Sequence, residues 1–201
     1  MAVSQAGAGS VDGCIGLRPQ PSGGDAYDVW RRLVKELHAV LTASSRSDDF
    51  VTVIAGIGDS LHSDLNADPD ALLFVALSEA GRGLENYAAS HALRVAAGCE
   101  LAASLLTGYE PAERRLVIHL ALTMNIAMAA EQNRMALQYS GLTPAQRDLV
   151  RRHAALGAEM LRGLGVDDLR WLKAVEMHHD PPASDLGSDD VASRAAALVH
   201  R

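Results

Sequence analysis

The chain has 201 residues, of which 48% are hydrophobic and 4% aromatic, and its formal net charge at pH 7 is −7. This composition predicts one domain whose core is built mainly from aliphatic side chains. The negative charge disfavours nucleic acid and anionic membranes as partners. Two cysteines are too few for a disulfide framework, and the sequence shows neither a secretory signal nor an apolar run of membrane-spanning length. We therefore expect a cytoplasmic protein.

The chain divides into three regions by composition. Residues 1–24 are rich in Gly, Ala, Ser, Pro and Gln without a period, which predicts a flexible leader. Residues 25–83 are predicted to form an N-terminal helical extension, and residues 84–201 the main helical domain, the two packing as one structural unit. The last predicted helix reaches the C-terminus without a stop signal, which is compatible with a natural chain that continues past Arg201.

Apolar residues recur with helical spacing from Asp25 onward. Three helix starts carry specific signals: Asp68 precedes a first-turn proline, Thr143 and Gln146 have the spacing of a capping box, and Ser188 can cap the last helix. In chain order, these patterns predict helices from Asp25 through Leu41, from Phe50 to about Asn66, from Pro69 through Ala76 and from about Tyr87 to Leu106. Further helices are predicted from Pro111 through Thr123 with an apolar run on to Met135, from Pro144 to about Gly163, from Asp167 or Asp168 to His178-His179-Asp180, and from Ala192 to His200. The fold class is therefore predicted to be all-α, with essentially no sheet.

One segment competes with this assignment. Residues 51–55 are rich in β-branched side chains and precede Gly56 and Gly58, as in a dinucleotide-binding turn. That fingerprint needs a third glycine, where Leu61 stands, and an alternation of strands and helices that the chain lacks. We interpret the segment as helix. Cys99 lies inside an apolar helical pattern and is interpreted as a buried structural thiol rather than a nucleophile.

Four of the eight histidines fall on separate predicted helices or helix ends in the C-terminal half, and these are His91, His153, His178 and His179. Metal sites in helical bundles are built from side chains of facing helices, and imidazole suits transition-metal ions. Adjacent helical residues lie about 100° apart, so the neighbouring pair can share one centre only at a helix end. The alternative for any single histidine is a surface or satisfied core residue. That alternative is our interpretation of His38, His62, His119 and His200.

Four segments of the C-terminal half carry an ordered set of motifs. Residues 87–95 contain a histidine followed by Arg-Val three and four positions later, and residues 151–161 read Arg-Arg-His-Ala-Ala-Leu-Gly-Ala-Glu-Met-Leu. The third segment is His178-His179-Asp180. The fourth lies between the first two, where residues 121–128 read Ala-Leu-Thr-Met-Asn-Ile-Ala-Met. Over residues 87–201 this order and spacing resemble the HD superfamily, and in particular its HD-GYP branch.

The resemblance implies a metal-hydrolase ancestry, since intact HD-GYP relatives hydrolyse cyclic di-GMP at a two-metal centre. Their motifs read Arg-His-Pro-x-x-Gly, His-His-Glu and Ala-Leu-Leu-His-Asp-Ile-Gly-Lys at the corresponding positions. The resemblance implies that His91, His153, His178 and His179 are the metal ligands. It adds three residues in the wall of the site, which are Met124, Asn125 and Asp180.

The chain departs from the family at the metal-bridging pair. Met124-Asn125 stands in place of His-Asp, and a thioether prefers soft metals while a neutral amide lacks the charge that holds two cations together. Tyr87 occupies the position of a glutamate ligand, Met128 that of a lysine, and the Gly-Tyr-Pro signature is absent. We therefore expect at most a single transition-metal ion, Fe, Mn or Zn, and the alternative is a pocket without metal.

Three functions follow from these features. The first is a catalytically degenerate HD-GYP-like domain that acts as a binding or regulatory module in bacterial signalling, with a protein or a cyclic dinucleotide as partner and homodimerisation left open. The second is an active metal-dependent phosphohydrolase with rearranged ligands, using Asp180 or Glu176 as a carboxylate. The third is a structural helical adaptor or dimerisation domain that binds no ligand.

Overall fold

A computed structural model describes residues 25–43, 49–106, 108–179 and 190–200. Within these ranges every regular element is helical, so the predicted all-α fold is confirmed. The α-helices are α1 (Ala26–Thr42), α2 (Phe50–Ala67), α3 (Pro69–Ser78), α4 (Tyr87–Leu105), α5 (Pro111–Thr123), α6 (Ala129–Leu137), α7 (Pro144–Gly163), α8 (Leu169–Met177) and α9 (Val191–His200). Short 3-10 helices at Leu84–Asn86 and Ile126–Met128 precede α4 and α6. The predicted leader, the Ser188 cap and Asp180 lie outside the described residues.

Local sequence signals set the starts of several helices. The side chain of Asp68 accepts the N–H of Ala71 at the start of α3, where Pro69 takes the first position. At the start of α7 the backbone N–H of Gln146 bonds to Thr143 Oγ1 at 3.2 Å, and Gln146 Oε1 accepts the N–H of Thr143 at 2.8 Å. Both predicted caps are therefore confirmed, and the competing strand segment 51–55 lies inside α2.

The connection between α7 and α8 is a tight glycine turn. Gly165 has a φ of 89°, the N–H of Gly165 bonds to the Arg162 carbonyl at 3.2 Å, and the N–H of Val166 bonds to the Leu161 carbonyl at 3.0 Å. This pair of bonds is a Schellman motif, and the buried Val166 and Leu161 supply its apolar contact. The turn brings α8 back against α7, and these two helices carry the histidines considered below.

One continuous hydrophobic core runs from Trp30 on α1 to Leu198 on α9. Helices α4 and α5 form its centre, and α5 also contacts α2, α8 and α9. The buried face of α4 consists largely of alanine, which lets neighbouring helices approach closely. Cys99 is buried on this helix, and burial raises the pKa of its thiol to about 12, so the structural interpretation of this residue is supported. Among the described helices, none is both long and apolar enough to cross a membrane.

A buried polar cluster joins α2 to α4 and α5. Glu100 on α4 is 2% exposed, and its Oε1 accepts hydrogen bonds from the guanidinium of Arg114 and, at 2.7 Å, from Nδ1 of His62. The second ring nitrogen of His62 accepts the side-chain amide of Asn66 at 2.9 Å. His62 is thus a satisfied structural histidine, and its bond crosses between the predicted extension and the main helical domain.

Candidate metal centre

Three histidines from α7 and from the end of α8 meet at one point. His153, His178 and His179 each offer a ligand atom, and these atoms lie within 4.8 Å of one another. The Nε2 atom of His153 is 3.2 Å from Nε2 of His178 and 3.2 Å from Nε2 of His179. His153 and His178 are buried whereas His179 is exposed. The group therefore forms a half-enclosed nitrogen cluster with one side toward solvent, which could hold a metal ion.

The helix end explains how two adjacent histidines share a centre. Helix α8 ends at Met177, and His178 is its C-cap residue, with φ −65° and ψ −15°. At this helix end the rings of His178 and His179 lie with centroids 4.2 Å apart. The condition stated from the sequence, that the pair must sit at a helix end, is met.

Backbone bonds fix which ring nitrogens can bind a cation. Nδ1 of His153 lies 2.7 Å from the Val150 carbonyl oxygen, and Nδ1 of His178 lies 2.7 Å from the Val175 carbonyl oxygen. Because a carbonyl only accepts, each Nδ1 carries the proton, and each neutral ring keeps a lone pair on Nε2. Metal-bound histidines typically donate their other N–H in this way.

With both Nδ1 atoms protonated, the Nε2 atoms of His153 and His178 each carry a lone pair, and these two atoms lie 3.2 Å apart. Two lone pairs cannot form a hydrogen bond with each other, so a proton or a metal ion between the two nitrogens would stabilise this contact. In a tetrahedral zinc centre with Zn–N bonds of about 2.0–2.1 Å, two ligand nitrogens lie about 3.3 Å apart. The spacing of 3.2 Å is compatible with two ligands on one ion.

Burial favours the neutral, metal-binding form of these rings. Burial lowers the pKa of His178 to about 4, against a smaller opposing effect of the Val175 carbonyl, and it also lowers the pKa of His153. The neighbouring His179 lowers both values further. Both buried rings are therefore neutral at pH 7, and a metal ion does not have to displace a proton from them.

The segment containing Met124 and Asn125 packs against the same helix as His153. Met124 is the C-cap residue of α5, and both residues are buried. A Cβ atom at Gly157, one turn beyond His153, would lie 3.7 Å from the Met124 carbonyl oxygen and 3.4 Å from Val175 Cγ1. Gly157 therefore marks the position where α7, α8 and this segment come together, next to the histidine cluster.

His91 is not part of the cluster: its ligand atoms do not belong to the group formed by the other three predicted ligands. It lies half-buried on α4, and its ring stacks on Tyr87 with centroids 5.7 Å apart and an interplanar angle of 4°. Tyr87, which resemblance aligns with a glutamate ligand, thus holds His91 by ring stacking. Burial and the nearby Arg94 lower the pKa of His91. The structure brings together three of the four predicted ligands.

His200 lies beside the cluster, which sequence reasoning did not predict. On α9, His200 Nδ1 donates to the His178 carbonyl at 3.2 Å, and its ring faces His179 edge-on with centroids 6.5 Å apart. No sequence motif distinguishes this residue. The packing of α9 against α8 carries this residue to the site.

The ligand set suits one ion rather than two. All three ligands are imidazoles, which supply no negative charge, and within the described part of the chain no carboxylate joins the group. Two cations at about 3.5–4 Å need bridging negative charge, which this set does not provide. A single Zn²⁺ or similar ion would have three protein ligands and a position open on the side of His179. Comparison of the chain with protein-family models, curated proteins and solved structures gave no match, so membership of the HD superfamily stays a prediction.

Proposed function

We propose that the protein is a helical binding module that holds one transition-metal ion on His153, His178 and His179 and has no two-metal phosphodiesterase activity. The observation that carries this proposal is the pair of Nε2 atoms 3.2 Å apart on rings whose Nδ1 atoms are bound to carbonyls. Such an arrangement leaves two buried lone pairs directed at one point. A cation at that point stabilises the arrangement.

The biological role proposed here rests on the resemblance and its departures. A chain that keeps the histidine motifs but carries Met124-Asn125 in place of His-Asp retains a metal pocket without the bridging carboxylate. We therefore assign the protein to the catalytically degenerate HD-GYP-like domains and give it a regulatory or binding role in bacterial cytoplasmic signalling. Its partner is then another protein or a cyclic dinucleotide.

The ligand chemistry predicts the order of affinity for the candidate metals. Three imidazoles form a borderline nitrogen site, for which affinity rises from Mn²⁺ through Fe²⁺ to a higher value for Zn²⁺. The carbonyl-bound Nδ1 atoms of His153 and His178 fix the rings and raise their basicity. We therefore expect zinc to bind most tightly, iron next and manganese least.

One observation favours a second function, a mononuclear phosphohydrolase. His179 is exposed, so an ion on the three histidines would keep a solvent-accessible coordination position. Three protein ligands plus water is the arrangement of catalytic zinc sites, where the ion makes a nucleophile from the bound water. In this alternative the general base would be Glu176, a carboxylate in the last turn of α8.

Elemental analysis and a phosphodiesterase assay on the purified full chain separate these functions. We expect about one ion per chain, loss of the ion in His153→Ala, and full retention in the matched control His91→Ala, because His91 lies outside the cluster. Hydrolysis of cyclic di-GMP and of bis-p-nitrophenyl phosphate with added Zn²⁺, Fe²⁺ or Mn²⁺ should stay at background. Turnover that disappears in His153→Ala would establish the phosphohydrolase. If the parent protein binds none of these metals, the structural adaptor is the remaining one of the three functions.

A further inference from the structure

A second pocket lies between α1, the turn after α3 and the start of α4. It has a volume of about 250 Å³, and its lining shares no residue with the histidine cluster. Pockets that hold drug-sized ligands measure about 300–1,000 Å³, so this one suits a smaller molecule. It is independent of the proposed metal centre and can be tested separately.

The lining carries more positive than negative charge. Arg31, Lys35 and Arg82 contribute cations, and Glu79 and Glu85 contribute carboxylates. This local excess contrasts with the net charge of −7 of the whole chain. An anion approaching this surface therefore meets a local attraction that much of the molecule does not offer.

Glu79 is already engaged by two of these cations. Its Oε1 lies 3.2 Å from Nη1 of Arg82, and its Oε2 lies 3.9 Å from Nε of Arg31. A guanidinium has five N–H donors, so both arginines keep donors free for a further acceptor. Lys35 forms no ion pair with any described residue, and its ammonium group is the cation left for a ligand.

The inner wall supplies an apolar surface and further donors. Trp30 and Val34 form the apolar part, and Trp30 is 1% exposed. Its indole N–H has no acceptor among the described residues. The hydroxyl of Ser90, also in the lining, accepts a bond from Arg94 at 2.7 Å and so keeps its own proton to donate. The free hydroxyl proton of Ser90 favours a ligand that brings an oxygen atom.

We propose that this pocket binds a small organic acid, a molecule with one carboxylate or phosphate group on an apolar body. The acidic group bonds to Lys35 and to the free donors of Arg31 and Arg82, while the apolar body packs against Trp30 and Val34. The exposed Glu85 disfavours a second negative group on the ligand. The ligand class follows from the excess of donors and the modest volume of the pocket.

Tryptophan fluorescence offers a local reporter, because the chain contains only Trp30 and Trp171. Trp171 is buried on α8, where its N–H bonds to Thr123 Oγ1 at 2.9 Å, and it does not line this pocket. The variant Trp171→Phe therefore leaves Trp30 as the single tryptophan, and excitation at a wavelength that tyrosine does not absorb reports on it alone. Titration calorimetry on the parent measures the same binding without any substitution.

The probes are benzoate and phenyl phosphate, with neutral benzamide and cationic benzylamine as controls of nearly the same size. We expect saturable binding of one or both acids with a change in Trp30 emission, and the acid that binds identifies the head group. Lys35→Ala should weaken binding about tenfold, the loss of one charge-assisted hydrogen bond. The matched control Lys173→Ala, which removes the other lysine from α8, should leave the affinity unchanged.

Several results would overturn the proposal. These are no saturable binding of either acid up to about 10 mM, equal binding of benzamide or benzylamine, and equal weakening by Lys173→Ala. Binding that calorimetry detects while Trp30 emission stays constant would assign the acid to a different surface. Because Lys35 is exposed on α1, its alanine variant should melt within a few degrees of the parent, so lost affinity cannot be ascribed to unfolding.

Discussion

The Nε2 atoms of His153 and His178 lie 3.2 Å apart although 25 residues separate them in sequence. The Schellman turn at Gly165 folds α8 onto α7, and each ring is oriented by a hydrogen bond to the carbonyl three residues before it. Two lone pairs are thus held together by backbone geometry alone. This arrangement is costly without a cation between the rings and favourable with one.

Metal ions should stabilise the fold. At a Zn²⁺ concentration 100 times the dissociation constant, binding to the folded state alone adds about 2.7 kcal/mol to the free energy of unfolding. For a domain of this size that corresponds to a rise in melting temperature of about 5–10 °C. Differential scanning fluorimetry with and without Zn²⁺ measures the shift. His91→Ala should retain it and His178→Ala should lose it; an equal shift in both variants would place the ion elsewhere.

Restoring the family's bridging pair should strengthen metal binding. Met124→His with Asn125→Asp adds a nitrogen donor and a carboxylate next to α7. Without metal, the buried Asp should lower stability by about 1–3 kcal/mol, because a buried carboxylate lacks compensation. With Mn²⁺ or Zn²⁺ the variant should recover this loss and bind more metal than the parent. Metal content and melting temperature, measured with and without added metal, test both expectations. A variant that gains neither stability nor metal on addition of Mn²⁺ or Zn²⁺ would argue against a degenerate HD-GYP-like site.

Stability should fall on mild acidification. Burial lowers the pKa of four histidines, which are His91, His119, His153 and His178. Below the unfolded value near 6.5 the unfolded chain takes up protons that the folded chain refuses, so the free energy of unfolding decreases as pH falls toward about 4. His178 alone can contribute up to about 3 kcal/mol.

Urea unfolding at pH 7, 5.5 and 4.5 in the presence of a chelator tests this dependence. His178→Asn should show a shallower loss of stability with falling pH, because the substitution removes a histidine whose pKa is lowered by burial. Constant stability between pH 7 and 4.5 would show that these rings accept protons as readily in the folded chain as in the unfolded one.

The buried cluster around Glu100 should couple α2 to the rest of the fold. Removing the partner of a buried charge leaves that charge uncompensated, so Arg114→Ala should cost about 3–5 kcal/mol. Arg151→Ala, which breaks an exposed pair with Asp148, is the matched control and should cost less than about 1 kcal/mol. Chemical denaturation measures both values. If Arg114→Ala costs no more than the control, the cluster does not couple these helices.

The helices could be predicted from the sequence because their caps and apolar periods involve residues close together in the chain. The site could be predicted only in part, because it depends on how distant helices pack. The caps at Asp68 and Thr143 depend on residues a few positions apart, so the sequence contains the whole of each interaction. The motif order includes the three histidines that the structure brings together, because α7, the glycine turn and α8 are contiguous. His91 lies on α4 outside the cluster, and its stacking on Tyr87 is not encoded in the motif order. His200 reaches the cluster through the packing of α9, which no local signal specifies.

X-ray absorption at the zinc edge tests the metal centre most directly. In the zinc-loaded chain we expect a first shell of three imidazole nitrogens at about 2.0–2.1 Å, completed by light atoms, with no sulfur at about 2.3 Å from Met124. His153→Ala should reduce the imidazole contribution, and His91→Ala should leave the spectrum unchanged. A shell that contains sulfur, or a spectrum identical in the parent and in His153→Ala, would contradict a single ion held by His153, His178 and His179.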